Sequence, residues 1–106
     1  MRLGNLQLNH FLLLAPMAGI TDNPFRRIAK AKGCGLTFTW MISAEGLLRK
    51  GKWFLRIEKD EHPVSVQLFG SNPEVLAEAA KRAEEVGADA IDINMGCPVR
   101  QVIETG

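Results

Sequence analysis

Segments typical of β-strands and α-helices alternate along the chain, and this order constrains the fold more than any other feature. Strand patterns cover residues 11–15, 36–41, 64–69 and 90–94, and helix patterns begin at 23, 43 and 73. The first strand pattern, over residues 11–15, predicts a fully buried strand. Strands that are joined through helices pair in parallel, with right-handed crossovers. The sequence therefore predicts an α/β fold with four parallel strands. A short hairpin is expected before them, with its turn at Gly4 and Asn5.

Boundary residues support the two longer helices. Asn23 and Asn72 are each followed by proline, which gives a capping side chain and then a residue already set for a first helical turn. The first helix is expected to end at Gly33 or Gly35 and the last at Gly87. In the last helix six residues share one face, namely Val75, Leu76, Ala79, Ala80, Ala83 and Val86. This pattern predicts a helix that packs against the sheet.

The loops that follow the strands distinguish between two kinds of parallel α/β fold. A doubly wound sheet carries a Gly-x-Gly-x-x-Gly phosphate loop, and the chain has none. Instead, polar and small residues follow each strand pattern, which is typical of the active rim of a (β/α)8 TIM barrel. A complete barrel takes eight strands and about 250 residues. We therefore expect residues 1–106 to form one partial domain, the amino-terminal half of such a barrel, as a piece of a longer enzyme.

Composition excludes several classes of function. The formal net charge is +1, with 46% hydrophobic and 24% charged residues, so neither a disordered chain nor a broadly basic nucleic-acid binder is predicted. The uncharged stretch over residues 12–18 is far shorter than the ~20 residues of a membrane span, so no membrane association is expected. Cys34 and Cys97 lack the spacing of a metal site. No metal is predicted, and both thiols are expected to be reduced in a cytoplasmic protein.

Residues 91–98 (IDINMGCP) form the segment most indicative of chemistry. An apolar strand there ends in an amide, a glycine, a cysteine and a proline. A lone cysteine is most often a small buried hydrophobe. Here, however, Gly96 permits a tight turn, Pro98 fixes the direction of the exiting chain, and Asn94 offers a donor and an acceptor at the same rim. This pattern favours a Cys97 thiol that is displayed in an active site.

Four motifs in register over nearly the whole chain resemble those of the tRNA-dihydrouridine synthases. They are residues 15–22 (APMAGITD), 41–45 (MISAE), 66–71 (VQLFGS) and 92–98 (DINMGCP). Members of that family are barrels that use FMN and NADPH to reduce uridines in tRNA. The resemblance thus implies FMN as cofactor, NADPH as reductant and tRNA as partner.

The resemblance also implies roles for residues that face the cofactor. Pro16, Met17 and Ala18 are expected to lie along the flavin ring, where small residues allow close approach of the backbone and methionine gives a polarizable contact. Gln67 is expected to hydrogen-bond the pyrimidine edge of the flavin. Without the resemblance, residues 16–18 are a simple turn at a strand end, and Gln67 is equally well a half-buried amide paired with backbone.

On the substrate side, the resemblance implies that Asn94 contacts the uracil edge and that Cys97 is the general acid. Cys97 would protonate one carbon of the uracil double bond while the reduced flavin delivers hydride to its neighbour. Arg100, three residues beyond the thiol, is expected to contact the RNA. Arg26 and Arg27 are further candidates for phosphate contacts, but a solvated helix face is the better interpretation for both. The later barrel strands and a helical tRNA-binding domain are expected to lie outside this sequence.

Two other interpretations remain open. Half of a barrel has bare sheet edges and an apolar inner face, which favours a non-catalytic scaffold that self-associates, for example as a homodimer. Residues 94–98 also resemble parts of other FMN barrels such as dihydroorotate-type dehydrogenases. That interpretation keeps the fold and changes the substrate.

Overall fold

The computed structural model describes residues 1–97, apart from the side chains of Lys52 and Trp53. Its strands are β1 (Arg2–Leu3), β2 (Leu6–Gln7), β3 (Leu13–Leu14), β4 (Leu36–Phe38), β5 (Ile42–Ser43), β6 (Val64–Phe69) and β7 (Ala90–Ile93). Its α-helices are α1 (Asn23–Ala31), α2 (Ala44–Lys50) and α3 (Pro73–Val86). Two short 3-10 helices, Gly51–Phe54 and Lys59–Glu61, lie between α2 and β6.

The strands form a small hairpin and a larger parallel sheet. Strands β1 and β2 pair antiparallel around a turn in which Gly4 has a φ of 59°, as the sequence predicts. In the larger sheet β3 pairs with β4, β4 and β5 both pair with β6, and β6 pairs with β7, all in parallel. Because β4 and β5 lie along successive parts of β6, the sheet is in effect four strands wide and in chain order. The predicted α/β fold is confirmed, with the strand order of half a (β/α)8 barrel.

Two predicted strands are shorter than expected. Over residues 11–15 only Leu13 and Leu14 are in a strand, and Phe11 and Leu12 are 77% and 67% exposed. The prediction of a fully buried first strand is therefore wrong for this chain. The physical reason is position, because β3 is an edge strand whose only pairing partner among residues 1–97 is β4. The second predicted strand, over residues 36–41, ends at Phe38, and after an interruption the separate strand β5 begins at Ile42.

The hydrophobic core lies between the sheet and the helices α2 and α3. Its buried members come from β5, α2, β6 and α3 and from the segment before β6, namely Ile42, Ala44, Leu47, Leu55, Val66, Leu68, Ala79 and Ala83. The predicted apolar face of α3 is confirmed, because Ala79 and Ala83 are buried and Val75, Leu76, Ala80 and Val86 pack against the core. Small residues on this face let the helix approach β6 closely.

Helix ends follow the predicted chemistry with one shift. Asn72 caps α3 by accepting hydrogen bonds from the backbone N–H groups of residues 74 and 75, and Gly87 ends that helix with a φ of 120°. For α1 the cap is Asp22 and not Asn23, because the Asp22 carboxylate accepts from the backbone N–H of Phe25 at 3.0 Å. Within residues 1–97 no helix has the length and apolar character that crossing a bilayer requires.

Candidate active site

The residues of interest gather at the carboxyl ends of the parallel strands. Residues 16–19 follow β3, and residues 94–97 follow β7. Gln67 lies on β6, level with Asp92 of β7. Loops from the carboxyl ends of neighbouring parallel strands converge on one edge of a sheet. The sheet therefore places residues 16–19, Gln67 and residues 94–97 along one rim.

Side chains of β6 and β7 form a hydrogen-bonded cluster at this rim. Gln67 and Asp92 are paired in register and so share a face, opposite to the one through which Val66 and Leu68 enter the core. Gln67 Nε2 donates to Asp92 Oδ2. Asn94 Nδ2 donates to Gln67 Oε1 at 3.4 Å. The two amides predicted to contact flavin and uracil are thus neighbours in the structure.

The interruption between β4 and β5 shapes the same rim. Thr39 N–H donates to Ser65 O at 3.0 Å and continues the ladder of β4 for one residue. The Thr39 hydroxyl then accepts from Gln67 N–H at 3.0 Å, in place of a strand carbonyl, and donates to Trp40 O at 2.9 Å. Beyond the interruption, Met41 Sδ lies 4.0 Å from Asn94 Nδ2. Bulges of this kind re-aim side chains beside active sites, and here the result is a thioether against the Asn94 amide.

The loop after β3 is a self-contained turn. Met17 N–H donates to Thr21 Oγ1 and that hydroxyl donates to Met17 O, each at 3.1 Å, and Thr21 is fully buried. Gly19 within the turn has a φ of 73°, a value that favours glycine. Pro16 and Met17 are half-buried, whereas Ala18 is exposed. Within residues 1–97 no hydrogen bond joins this loop to Gln67 or Asn94.

Arg26 holds this loop from behind, and the prediction of a solvated position for it is wrong. The residue is 5% exposed, and its Nε donates to Glu61 Oε1 at 2.6 Å. Its two terminal nitrogens donate to Thr21 O at 2.8 Å and to Arg56 O at 3.2 Å. The physical reason is the buried carboxylate of Glu61, which lies far away in sequence and compensates the guanidinium charge. Arg27, next in α1, is exposed as predicted and pairs with Asp60.

The loop after β7 carries the thiol. Asn94 Oδ1 accepts from Gly96 N–H at 3.1 Å, which is a turn closed by the asparagine side chain itself. Met95, between them, is 92% exposed. Cys97 is half-buried and forms no disulfide. Arg100, the predicted RNA contact, lies outside the described residues.

The structure thus brings Gln67 and Asn94 together and adds three residues that the sequence did not single out as site residues. In the sequence, Asp92 is only one member of a motif. Its contact with Gln67 depends on the register between β6 and β7, which the sequence does not predict. Thr39 and Met41 lie in the interruption between β4 and β5, and this interruption brings them to the site. The sequence pattern instead predicts one continuous strand over residues 36–41. The one available signal was the loss of alternation at Met41, where residues 40–42 are all apolar.

Comparisons with known proteins find one matching family model and several similar sequences. The family model described as "Dihydrouridine synthase (Dus)" matches residues 13–106. The tRNA-dihydrouridine synthase B of Pasteurella multocida is 46% identical over 105 residues, which cover 96% of this chain and 32% of that protein. The proteins of the same name from Pseudomonas aeruginosa and Vibrio parahaemolyticus are each 44% identical, over 95% and 96% of this chain. The chain spans about a third of the length of these relatives.

Proposed function

Because the chain belongs to the dihydrouridine synthase family, we propose that it forms the part of a tRNA-modifying oxidoreductase that holds the edges of cofactor and base. The proposed reaction reduces uridine in tRNA to dihydrouridine. The proposed cofactor is FMN, with NADPH as the source of reducing equivalents. The relatives that match the chain are named for the same reaction on tRNA.

The pair of adjacent amides at the rim is the observation that carries the proposal. An amide offers two N–H donors and two oxygen lone pairs. Gln67 uses one N–H on Asp92 and one lone pair on Asn94, so one donor and one acceptor remain. Asn94 keeps one oxygen lone pair after accepting from Gly96, and its second N–H meets only the Met41 sulfur at 4.0 Å, a weak acceptor that a ligand oxygen can replace. An imide edge, in which carbonyl and N–H alternate, is the complement of such a surface, and both uracil and the flavin ring carry one.

The loop after β3 fits the flat face of a flavin. Ala18 and Gly19 are exposed, and a Cβ built at Gly19 meets no atom within 4 Å. The polar backbone groups of Met17 are already satisfied by Thr21, which leaves the Met17 side chain as the half-buried apolar contact. A small, open and internally satisfied turn can approach an aromatic ring without desolvating unpaired polar groups. Pro16 and Ala18 complete the proposed contact surface.

The proposed chemistry divides between the cofactor and one thiol. Reduced FMN, which Gln67 and residues 16–18 would hold at this rim, would supply hydride to one carbon of the uracil double bond. Cys97 donates its S–H proton to the neighbouring carbon, and the resulting thiolate regains a proton from water. Asn94 holds the base by its polar edge, which fixes the double bond relative to the thiol. Because the turn between Asn94 and Gly96 is closed by the Asn94 side chain, substrate contact and thiol position are coupled through one residue.

The remaining parts of the proposal concern regions beyond the described site. A uridine within folded tRNA must be extruded to reach this rim. Arg100 is proposed to contact the RNA near the extruded base. The relatives are about three times as long as this chain, so we assign the second half of the barrel and the tRNA-binding domain to their additional length. Residues 1–106 alone are proposed to bind FMN weakly and not to turn over. The tRNA substrate implies that the reaction takes place in the cytoplasm.

A chimaera tests the proposed function. Residues 1–106 replace the matching segment of the Pseudomonas aeruginosa relative, and the product is incubated with FMN, NADPH and unmodified tRNA. We expect dihydrouridine to form, and we expect no oxidation of dihydroorotate. A folded chimaera that binds FMN but acts only on dihydroorotate would make the chain a different flavin enzyme. A folded chimaera that leaves both substrates unchanged would refute the proposed reaction.

Exposed apolar residues at the sheet edge favour a second candidate, a scaffold that self-associates. Phe11 and Leu12 are the most exposed apolar residues of the segment that precedes β3. Sedimentation of the chain with and without FMN separates the candidates. A homodimer that carries no flavin supports the scaffold, whereas flavin that sediments with the protein supports the oxidoreductase.

A further inference from the structure

The cluster at the rim is a chain of hydrogen bonds with a fixed direction. Gly96 N–H donates to Asn94 Oδ1, Asn94 Nδ2 donates to Gln67 Oε1, and Gln67 Nε2 donates to Asp92 Oδ2. The two amides in the middle can each be turned around without changing their shape. The two ends cannot, because a backbone N–H only donates and an ionised carboxylate only accepts.

The ends therefore determine the orientation of both amides. If Gln67 were turned around, its carbonyl would face the Asp92 carboxylate, and its NH2 group would face the NH2 group of Asn94. Gln67 is 7% exposed, so water cannot readily compensate such contacts. The backbone turn at Gly96 fixes Asn94 in the same sense. Only the observed direction satisfies all four groups.

We propose that Asp92 is a positioning residue that sets which amide atoms Gln67 and Asn94 present to a bound ligand. Asp92 is paired in register with Gln67 and lies on the same face of the sheet. Asn94 is two residues further along the chain, on that same face. Through Gln67 it holds both amides in one orientation. The site then binds the imide edge of a ligand in one orientation. In that orientation each ligand carbonyl accepts from an amide N–H, and the ligand N–H donates to an amide oxygen. The identity of the ligand in this inference rests on the proposed function. The chain of hydrogen bonds is observed in the structure and is independent of that function.

Side-chain amide signals in a nitrogen–proton correlation spectrum of the chain test the positioning directly. In Asp92→Leu, the signals of Gln67 and Asn94 should both move, because the acceptor at the end of the chain is lost. In Asp92→Asn, an oxygen of similar reach remains but the direction is no longer imposed, so a second set of Gln67 signals is expected. The matched control is Asp60→Asn, which removes an exposed carboxylate and should leave both amides unchanged.

Titration with FMN, followed by flavin fluorescence, gives the second readout. The affinity should fall by about tenfold in Asp92→Leu, the effect of one lost or misdirected hydrogen bond to the ligand. Asp92→Asn should lie between Asp92→Leu and the unmodified chain. Circular dichroism establishes that each variant is folded, and Asp92→Asn decides the question if Asp92→Leu does not fold.

Two results would overturn the inference. One is an Asp92→Asn spectrum identical to that of the unmodified chain at both amides. The other is FMN affinity that is unchanged in folded Asp92 variants although the unmodified chain binds FMN. If the amide signals respond as expected while the unmodified chain does not bind FMN, the positioning role stands and the proposed weak binding of FMN by residues 1–106 alone is wrong.

Discussion

Replacement of Glu61 by glutamine is the perturbation for which the structure gives the sharpest expectation. Glu61 is fully buried, and its two carboxylate oxygens accept three hydrogen bonds. Arg26 Nε donates to one oxygen at 2.6 Å, while Asn23 Nδ2 and the Glu58 N–H donate to the other. Glutamine has the same shape but only one acceptor oxygen. Its NH2 group must therefore face a donor, and the buried Arg26 guanidinium loses its counter-charge.

The size of the effect follows from the burial of the pair. Removing one partner of a buried ion pair costs about 3–5 kcal/mol, because the other charge stays in a low-dielectric environment. A chain of 106 residues is stable by about 5–15 kcal/mol in total. Glu61→Gln should therefore remove a large share of the stability. With a urea dependence of about 2 kcal/mol per molar, the unfolding midpoint should fall by about 2 M.

Urea unfolding followed by circular dichroism measures this shift, with Asp60→Asn as the matched control. Asp60 is the neighbour of Glu61 in the same 3-10 helix and also accepts from an arginine, at 2.9 Å, but both members of that pair are exposed. Its midpoint should stay at that of the unmodified chain, because exposed ion pairs contribute little. Equal midpoints for Glu61→Gln and Asp60→Asn would refute the reasoning that burial gives the Glu61 pair its importance.

Three further predictions concern the core, a helix cap and a partly buried cation. Leu47→Ala removes a fully buried side chain and should cost about 2–5 kcal/mol in urea unfolding, so a cost typical of a surface position would contradict the assigned core. Asn72→Ala removes the cap of α3 and should cost about 1 kcal/mol in the same assay, whereas no loss would mean that water replaces the cap. Burial lowers the pKa of the Lys30 ammonium below its ordinary value, so the folded state releases this proton at lower pH than the unfolded state. The stability of the unmodified chain relative to Lys30→Met should therefore rise as the pH rises toward the ordinary lysine pKa, and a pH-independent difference would contradict it.

The fold was predictable from sequence where the determining interactions are local. The bounds of α3 follow from Asn72 at one end and Gly87 at the other, and its buried face follows from spacing alone. The parallel pairing follows from the order of strands and helices. The cap of α1 was placed one residue late because Asp22 and Asn23 are both good caps, and sequence does not reveal which side chain reaches the backbone N–H of Phe25.

Features that depend on distant residues were not predictable in the same way. Arg26 resembles any helix-surface arginine until Glu61, 35 residues away, is seen beside it. Asp92 belongs to a recognised motif, but its contact with Gln67 depends on the register of β6 and β7. The exposure of Phe11 follows from the edge position of β3 and not from its own composition. In each case the missing information is which elements are neighbours.

The role of Cys97 is the central claim, and one comparison tests it most directly. Dihydrouridine formation in unmodified tRNA is measured for an active chimaera that carries residues 1–106, and for its Cys97→Ala and Cys34→Ala variants. Cys97→Ala should bind FMN normally and lose about 10²- to 10⁴-fold in rate, the usual contribution of a general acid. Cys34→Ala, which removes the other thiol, should keep the rate. A Cys97→Ala variant that reduces tRNA at the unmodified rate would contradict the account.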